Sequence, residues 1–265
     1  LPMGMENGAP IGLDLNNVKY FYDRGIRYIT LTHGKDNQFC DSSYDSAHTW
    51  HGLSPLGVKL VREMNRVGIM VDISHVDDST FYQVMKISKA PCIASHSSCR
   101  AFTPGFQRNM SDDMIRKLAK NGGVIQINFG TAFLDSVARR GNASNDKNLK
   151  LLLKSKNLKQ DDSQAKPVVE QFKKDHPYVH ADITRVVDHI DHVVKIAGID
   201  HVGIGSDFDG VGDSLPSELK SVADYPNLIF HLLKRGYKES DIQKICYLNV
   251  WRVWGQVEKI AEASK

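Results

Sequence analysis

Short apolar runs rich in β-branched residues recur along this chain, each separated from the next by a helical pattern, and this alternation constrains the fold most. The runs lie at 1–5 (LPMGM), 27–32 (RYITLT), 69–74 (IMVDIS), 91–95 (PCIAS), 123–128 (GVIQIN) and 201–206 (HVGIGS). Residues 13–24, 56–67, 79–88, 112–121, 182–197, 217–235 and 239–262 carry the 3.6-residue period between and after them. Local signals agree with this reading. Ser54-Pro55 supplies an N-cap and a first-turn proline, Asp77 or Asp78 can cap 79–88, and Ser111 caps a helix stopped by Asn121-Gly122. Strands that alternate with helices and are apolar on both faces predict an α/β protein with a parallel sheet covered by helices.

A second regularity lies at the C-terminal end of each run. Strand 1–5 is followed by Glu6, 27–32 by His33, 69–74 by His75, 91–95 by His96 and 201–206 by Asp207, while 123–128 ends at Asn128. One histidine after a strand is usually a capping or packed residue. Several ligand-type residues at the same place in successive units are different, because a parallel sheet gathers its C-terminal tips on one face. Histidine, glutamate and aspartate together form a donor set suited to Zn²⁺. A carboxylate at a buried strand tip is costly unless it is paired or metal-bound, so an adjacent dication would account for Asp207.

The remaining features narrow the function class. With 34 basic and 31 acidic residues the net charge is +3, and no dense basic run points to nucleic acid. No apolar stretch reaches the ~20 residues needed to span a bilayer. Cys40, Cys92, Cys99 and Cys246 show no C-x-x-C spacing; they can be buried thiols, or Cys40 and Cys99 can pair. Gly203 and Gly205 have a G-x-G look but lead into SDFDG rather than a helix, which leaves a dinucleotide site weak. His48 and His51 read as loop residues and His176 and His180 as part of a polar segment. His189 and His192 read as a polar helix face, with His189 able to reach the rim of the site. The segment 135–180, rich in Lys, Asn, Asp and Gln, reads as a helical insertion too poor in apolar residues for its own core.

The strings GMENG, RYITLTH, GLSPLGVKLVREMNRVGIMVDISHV, APCIASHSS and HVGIGSDFDGV, in this order, resemble the membrane (renal) dipeptidase family, peptidase family M19, and the loops resemble its bacterial members. The resemblance covers nearly the whole chain outside 135–180. It implies a (β/α)₈ TIM barrel of the metal-dependent amidohydrolase-like type, a homodimer, and dipeptide hydrolysis by a hydroxide bridging two zinc ions. Glu6 is implied as the bridging carboxylate, His75 and His96 as ligands of the second metal, and Asp207 as a ligand of the first and the proton shuttle. His33 is implied as the group that steadies the substrate carbonyl. Arg108 is implied as the clamp on the substrate carboxylate, against a plain reading as an exposed loop cation; a guanidinium fork suits the clamp.

The chain departs from the family pattern at two places. Gly130 stands where relatives often carry an aromatic residue, and no His-x-Asp pair precedes Glu6. Six strands where a barrel needs eight lead to the expectation that two βα units precede Leu1, with residues 1–265 forming one catalytic barrel domain. The alternatives are another metal-dependent amide or ester hydrolase on the same barrel, or a non-catalytic pseudo-enzyme lacking the first metal site.

Overall fold

The structure, a computed structural model, describes residues 2–264. Among them are six strands, β1 (Met3–Glu6), β2 (Ile26–Thr30), β3 (Met70–Asp72), β4 (Ile93–Ser97), β5 (Val124–Asn128) and β6 (Val202–Ser206), all parallel and side by side in sequence order. Stepping always to the next neighbour is the winding of a βα barrel, and the sheet curls accordingly. At Gly205 a Cβ would lie 2.5 Å from the Gln126 carbonyl and 2.7 Å from that of Ser95, so β6 leans across β5 toward β4.

The helices are α1 (Asn16–Asp23), α2 (Pro55–Val67), α3 (Asp78–Ile87), α4 (Asp112–Lys120), α5 (Thr131–Leu134), α6 (Ser136–Ser155), α7 (Lys166–Asp175), α8 (Ile183–Ala197), α9 (Tyr225–Lys234), α10 (Glu239–Gln243) and α11 (Asn249–Glu262). Their caps follow the sequence signals. Ser54 accepts from Gly57 N, Asp77 from Thr80 N and Ser111 from Met114 N. Gly68, at φ +98°, ends α2 in the left-handed conformation that glycine adopts without strain.

Several boundaries differ from expectation. The first strand is Met3–Glu6, which puts Glu6 on the strand; Leu1 lies outside the described residues. The fourth is Ile93–Ser97, so His96 also sits on its strand, in a register irregularity between Ala94 and Ser97. The pattern at 239–262 is broken by a π turn at Lys244–Leu248. The insertion has a small core after all: Leu149, Leu153 and Ala165 are buried against Leu158, Val168, Val169 and Phe172. Cys40, Cys92 and Cys99 are buried free thiols and Cys246 is a half-buried one, so Cys40 and Cys99 do not pair.

Helix α11 crosses the end of the sheet where the strands begin. Asn249 Nδ2 donates to the carbonyls of Ile199 (2.7 Å) and Val202 (2.8 Å). Arg252 donates to those of Gly122 and Asp200, both at 2.7 Å. Val253 and Val257 bury themselves against Met70, Ala90, Ile93 and Val124. Each such side chain contributes roughly 1.5–3 kcal/mol by leaving water. This end is plugged, and the opposite end stays open.

Candidate metal centre

At the open end, side chains from four units meet. Glu6 Oε1 lies 3.0 Å from Nε2 of His75, 3.0 Å from Nε2 of His96 and 3.7 Å from Nε2 of His33. The two nearer imidazole nitrogens are 2.9 Å apart, and the His33 and His75 rings are 4.3 Å apart, centroid to centroid. Glu6, His33 and His75 offer ligand atoms that all fall within 4.8 Å of one another. Hydrogen bonding from His75 does most to hold the Glu6 carboxyl well below the usual carboxylate range. Burial pushes His75 down to about 3, which keeps it neutral and able to ligate.

The network beneath fixes which way His96 faces. Asp72, wholly buried on β3, accepts from Thr30 Oγ1 (2.5 Å), the backbone N–H groups of Ser74 (3.0 Å) and Ser95 (2.9 Å), and Ser95 Oγ (2.6 Å). A carboxylate only accepts, so the Ser95 hydroxyl spends its proton there. Ser95 Oγ must then accept from His96 Nδ1, 2.6 Å away. His96 is thereby set as the Nδ1–H tautomer, with its Nε2 lone pair facing Glu6. Two acceptors at 3.0 Å with no proton between them call for a cation. The donor types suit Zn²⁺, so the residues present fit a metal ion.

Asp207 sits at the tip of β6 with φ +66°, directly after Ser206 at φ +48°. A left-handed aspartate is tolerated and a left-handed serine is less common; both strained positions occur where the site is built. Asn128 Nδ2 donates to Asp207 Oδ2 at 2.7 Å, and Asn128 Oδ1 accepts from Gly130 N at 2.7 Å, which fixes the amide. Glu6, His96 and Asp207 line one cleft of about 220 Å³ together with Tyr28 and Thr30. Asn7 and His75, at φ +82° and +69°, complete a ring of left-handed residues around the open end.

Arg108 is not the exposed loop cation of its plain reading. It is 3% exposed, and it donates to Ser97 Oγ at 2.7 Å and to the His96 carbonyl at 2.9 Å. Its Nε is buried without a partner, and no described carboxylate lies within 4.0 Å. A permanent cation held this way has no direct ion-pair partner, and Asp72, Asp207 and Glu6 act on it only from farther off.

Other residues separate from the site. His189 does not reach the rim: it is fully buried, accepting from Cys99 N (3.0 Å) and donating to the Leu134 carbonyl (3.1 Å). His192 faces Asp112 at 2.8 Å. Asp41, His48 and Asp77 form a second compact group, but Asp41 already accepts from Trp50 N and Gly52 N, and Asp77 caps α3. We read this group as loop structure. Sequence reasoning missed the positioning residues Asp72 and Ser95. The one available signal was a carboxylate in the middle of the apolar run IMVDIS.

A family model described as membrane dipeptidase (peptidase family M19) matches residues 1–265. The chain belongs to the membrane dipeptidase family. It is 34% identical over 264 residues to an uncharacterized dipeptidase of Schizosaccharomyces pombe, covering 98% of this chain and 54% of that protein. It is 34% identical over 263 residues to the dipeptidase tcpJ of Claviceps purpurea, covering 99% and 52%. The chain thus spans about half the length of these relatives. Among solved structures, the probable dipeptidase PvdM from Pseudomonas aeruginosa is similar with a TM-score of 0.82 at 32% identity, over 98% of this chain and 69% of that one. A metallo peptidase from Rhodobacter sphaeroides, liganded with a phosphinate mimic of the dipeptide L-Ala-D-Ala, gives 0.75 at 27% identity, over 97% and 63%. As in those dipeptidases, the architecture is α/β with parallel strands; the sheet here is a curled half-barrel.

Proposed function

We propose that this chain hydrolyses dipeptides with the help of zinc held at the open end of the sheet, residues 1–265 acting as one catalytic unit with 135–180 inserted in it. The observation that carries the reading is the convergence of Glu6, His75 and His96 beside a buried Arg108 that has no direct ion-pair partner. A membrane dipeptidase needs those two features together: a metal to activate water and a cation to hold the substrate's terminal carboxylate.

His75 and His96 would hold one zinc, Glu6 would serve two, and Asp207 would join Glu6 on the other. Zinc in such a place acts as a Lewis acid and brings the pKa of its water near neutrality. The chain's own groups do the rest. Asp207, anchored by Asn128, takes a proton and delivers it to the leaving amine. His33, about half exposed and next to Glu6, faces the carbonyl oxygen as charge grows on it. Arg108 offers the terminal carboxylate the Nη1 and Nη2 protons that Ser97 and the His96 carbonyl leave free. Gly130 leaves this part of the pocket without a side chain, and even a Cβ there would come within 2.8 Å of Val211.

Matched substrates test the reading: a dipeptide and its C-terminal amide, with metal content measured on the same sample. We expect the free dipeptide to be cleaved far faster, with zinc bound. Arg108→Met should remove that preference while leaving zinc in place. Equal rates on acid and amide, or cleavage by metal-free protein, would sink the proposal. A homodimer is part of the same proposal, and sedimentation of the purified protein checks it.

A further inference from the structure

Three loops bring an aromatic surface to the open end of the sheet. After β2, Ser42 Oγ donates to the His33 carbonyl (2.5 Å) and Ser43 N to the His75 carbonyl (2.8 Å), so the chain here is stitched to two residues of the site. The next residue is Tyr44, whose ring centre lies 5.9 Å from that of His75. After β4 the chain passes through Phe106, 6.4 Å from Tyr44, on its way to Arg108. After β5 comes Phe133, edge to face with Phe106 at 5.4 Å, and the Arg108 guanidinium stands 5.3 Å from the centre of its ring. Each step is within the reach of aromatic contact, so the rings form one surface from a histidine of the metal centre to the buried arginine.

This surface is held firmly and left partly uncovered. Asn109, wholly buried, donates to Thr103 Oγ1 (2.7 Å) and to the Phe133 carbonyl (2.8 Å) and accepts from Ser98 N (3.0 Å). It thereby locks the loop carrying Phe106 to the turn carrying Phe133. The Arg139 guanidinium lies 4.9 Å over the Phe106 ring and steadies it. Yet Tyr44 is 48% exposed and Phe106 only half-buried. A ring already fixed in place loses little freedom when a ligand covers it, so the area it buries goes into affinity.

On the dipeptidase reading, which this inference rests on, the scissile carbonyl sits at the metal centre and the terminal carboxylate at Arg108. Only the amide nitrogen and one Cα separate those groups, so the side chain on that Cα has to leave the line between them, and the aromatic surface borders that line. We propose that Tyr44 and Phe106, backed by Phe133, receive the C-terminal side chain and select dipeptides that end in an aromatic residue. An incoming ring meets them edge to face or offset, the geometry aromatic pairs favour, and both partners lose apolar area to water. Tyr44 and Phe106 determine the specificity because they hold the uncovered area; Phe133, 8% exposed, supports them from behind.

Steady-state rates of the zinc-containing protein on alanyl-phenylalanine and alanyl-alanine test this, since the two share every group except the C-terminal side chain. The expected kcat/KM is about tenfold or more higher for alanyl-phenylalanine. Tyr44→Ala and Phe106→Ala should each reduce that ratio about two- to tenfold, while Tyr44→Phe preserves it. Loss of folded protein or of metal scales both rates alike and cancels from the ratio, which a merely structural role would therefore not move. Tyr44 is the more exposed of the pair, so its truncation decides the matter should Phe106→Ala fail to fold. Equal rates on the two substrates, or a ratio unmoved by Tyr44→Ala, would overturn the proposal and leave the dipeptidase reading standing. Cleavage of neither substrate by zinc-loaded protein would sink that reading, and this selectivity with it.

Discussion

The two ends of the sheet solve opposite problems with the same strands. Where the strands begin, α11 lays valines on Met70, Ile93 and Val124 and satisfies stray carbonyls with Asn249 and Arg252. Where they finish, the backbone is left-handed at Asn7, His75, Ser206 and Asp207, and lone pairs of Glu6 and His96 face each other. One end is saturated and the other is left incomplete. The difference teaches that stability and chemistry are placed at separate ends, as barrel proteins commonly arrange them.

Substitutions can break this division. The largest effect should come from Glu6→Gln, which removes the charge shared by three imidazoles. Activity should fall about 10²–10⁴-fold with loss of bound metal, while the metal-free protein loses only a little stability, because a carboxyl held below its usual range favours the fold but this one is half exposed. A large loss of metal-free stability would show that the open end also holds the fold together. Met70→Ala, at the plugged end, should do the converse. It should cost about 2–5 kcal/mol in denaturant unfolding and leave turnover per folded molecule unchanged.

The pH dependence sharpens the comparison, because His189 is a polar group outside the metal centre, buried under the loops that follow β4 and β5. Burial lowers it to about 4, against 6.5 for a free histidine. Between those values the unfolded chain binds the extra proton, so stability should fall as pH drops from about 6.5 to about 4 and level off below. The loss is on the order of 3 kcal/mol. Urea titrations across that window should show the slope, to which His75 also contributes, and His189→Gln should lessen it; an unchanged slope would assign all of it elsewhere. The smallest effect is expected from Ser95→Ala. Freed from its tautomer lock, His96 should hold metal about 10–100-fold more weakly, read by chelator competition, with the melting temperature of metal-free protein little altered.

The sequence was most legible where one residue type has few uses. Alternating apolar runs disclosed the parallel sheet, and Glu6, His75, His96 and Asp207 announced themselves by falling at strand tips. Boundaries were harder. His96 sits within β4 because the strand slips register there, and register depends on a neighbour the local pattern does not contain. Asp72 was hidden for a similar reason. Its four donors come from β2, from β4 and from the turn after β3, so its buried charge becomes sensible only once the strands are side by side. Arg108 read equally well as a loop cation, since burial is a property of the assembled loops. The insertion's small core went unseen because its few apolar residues are spread over α6 and α7 and meet only when those helices pack.

Gly205 carries a consequence for how such a protein can change over generations. With carbonyl oxygens of Gln126 and Ser95 at 2.5 and 2.7 Å from where a Cβ would stand, even alanine would push β6 outward and carry Asp207 away from Glu6. The aperture of the site is therefore set by a missing methyl group, and that dimension is frozen. Variation in what the pocket admits has to arise in the surrounding loops, where insertions and exchanges leave the frame untouched. A lineage built on this frame can diversify its diet without redrawing its jaw.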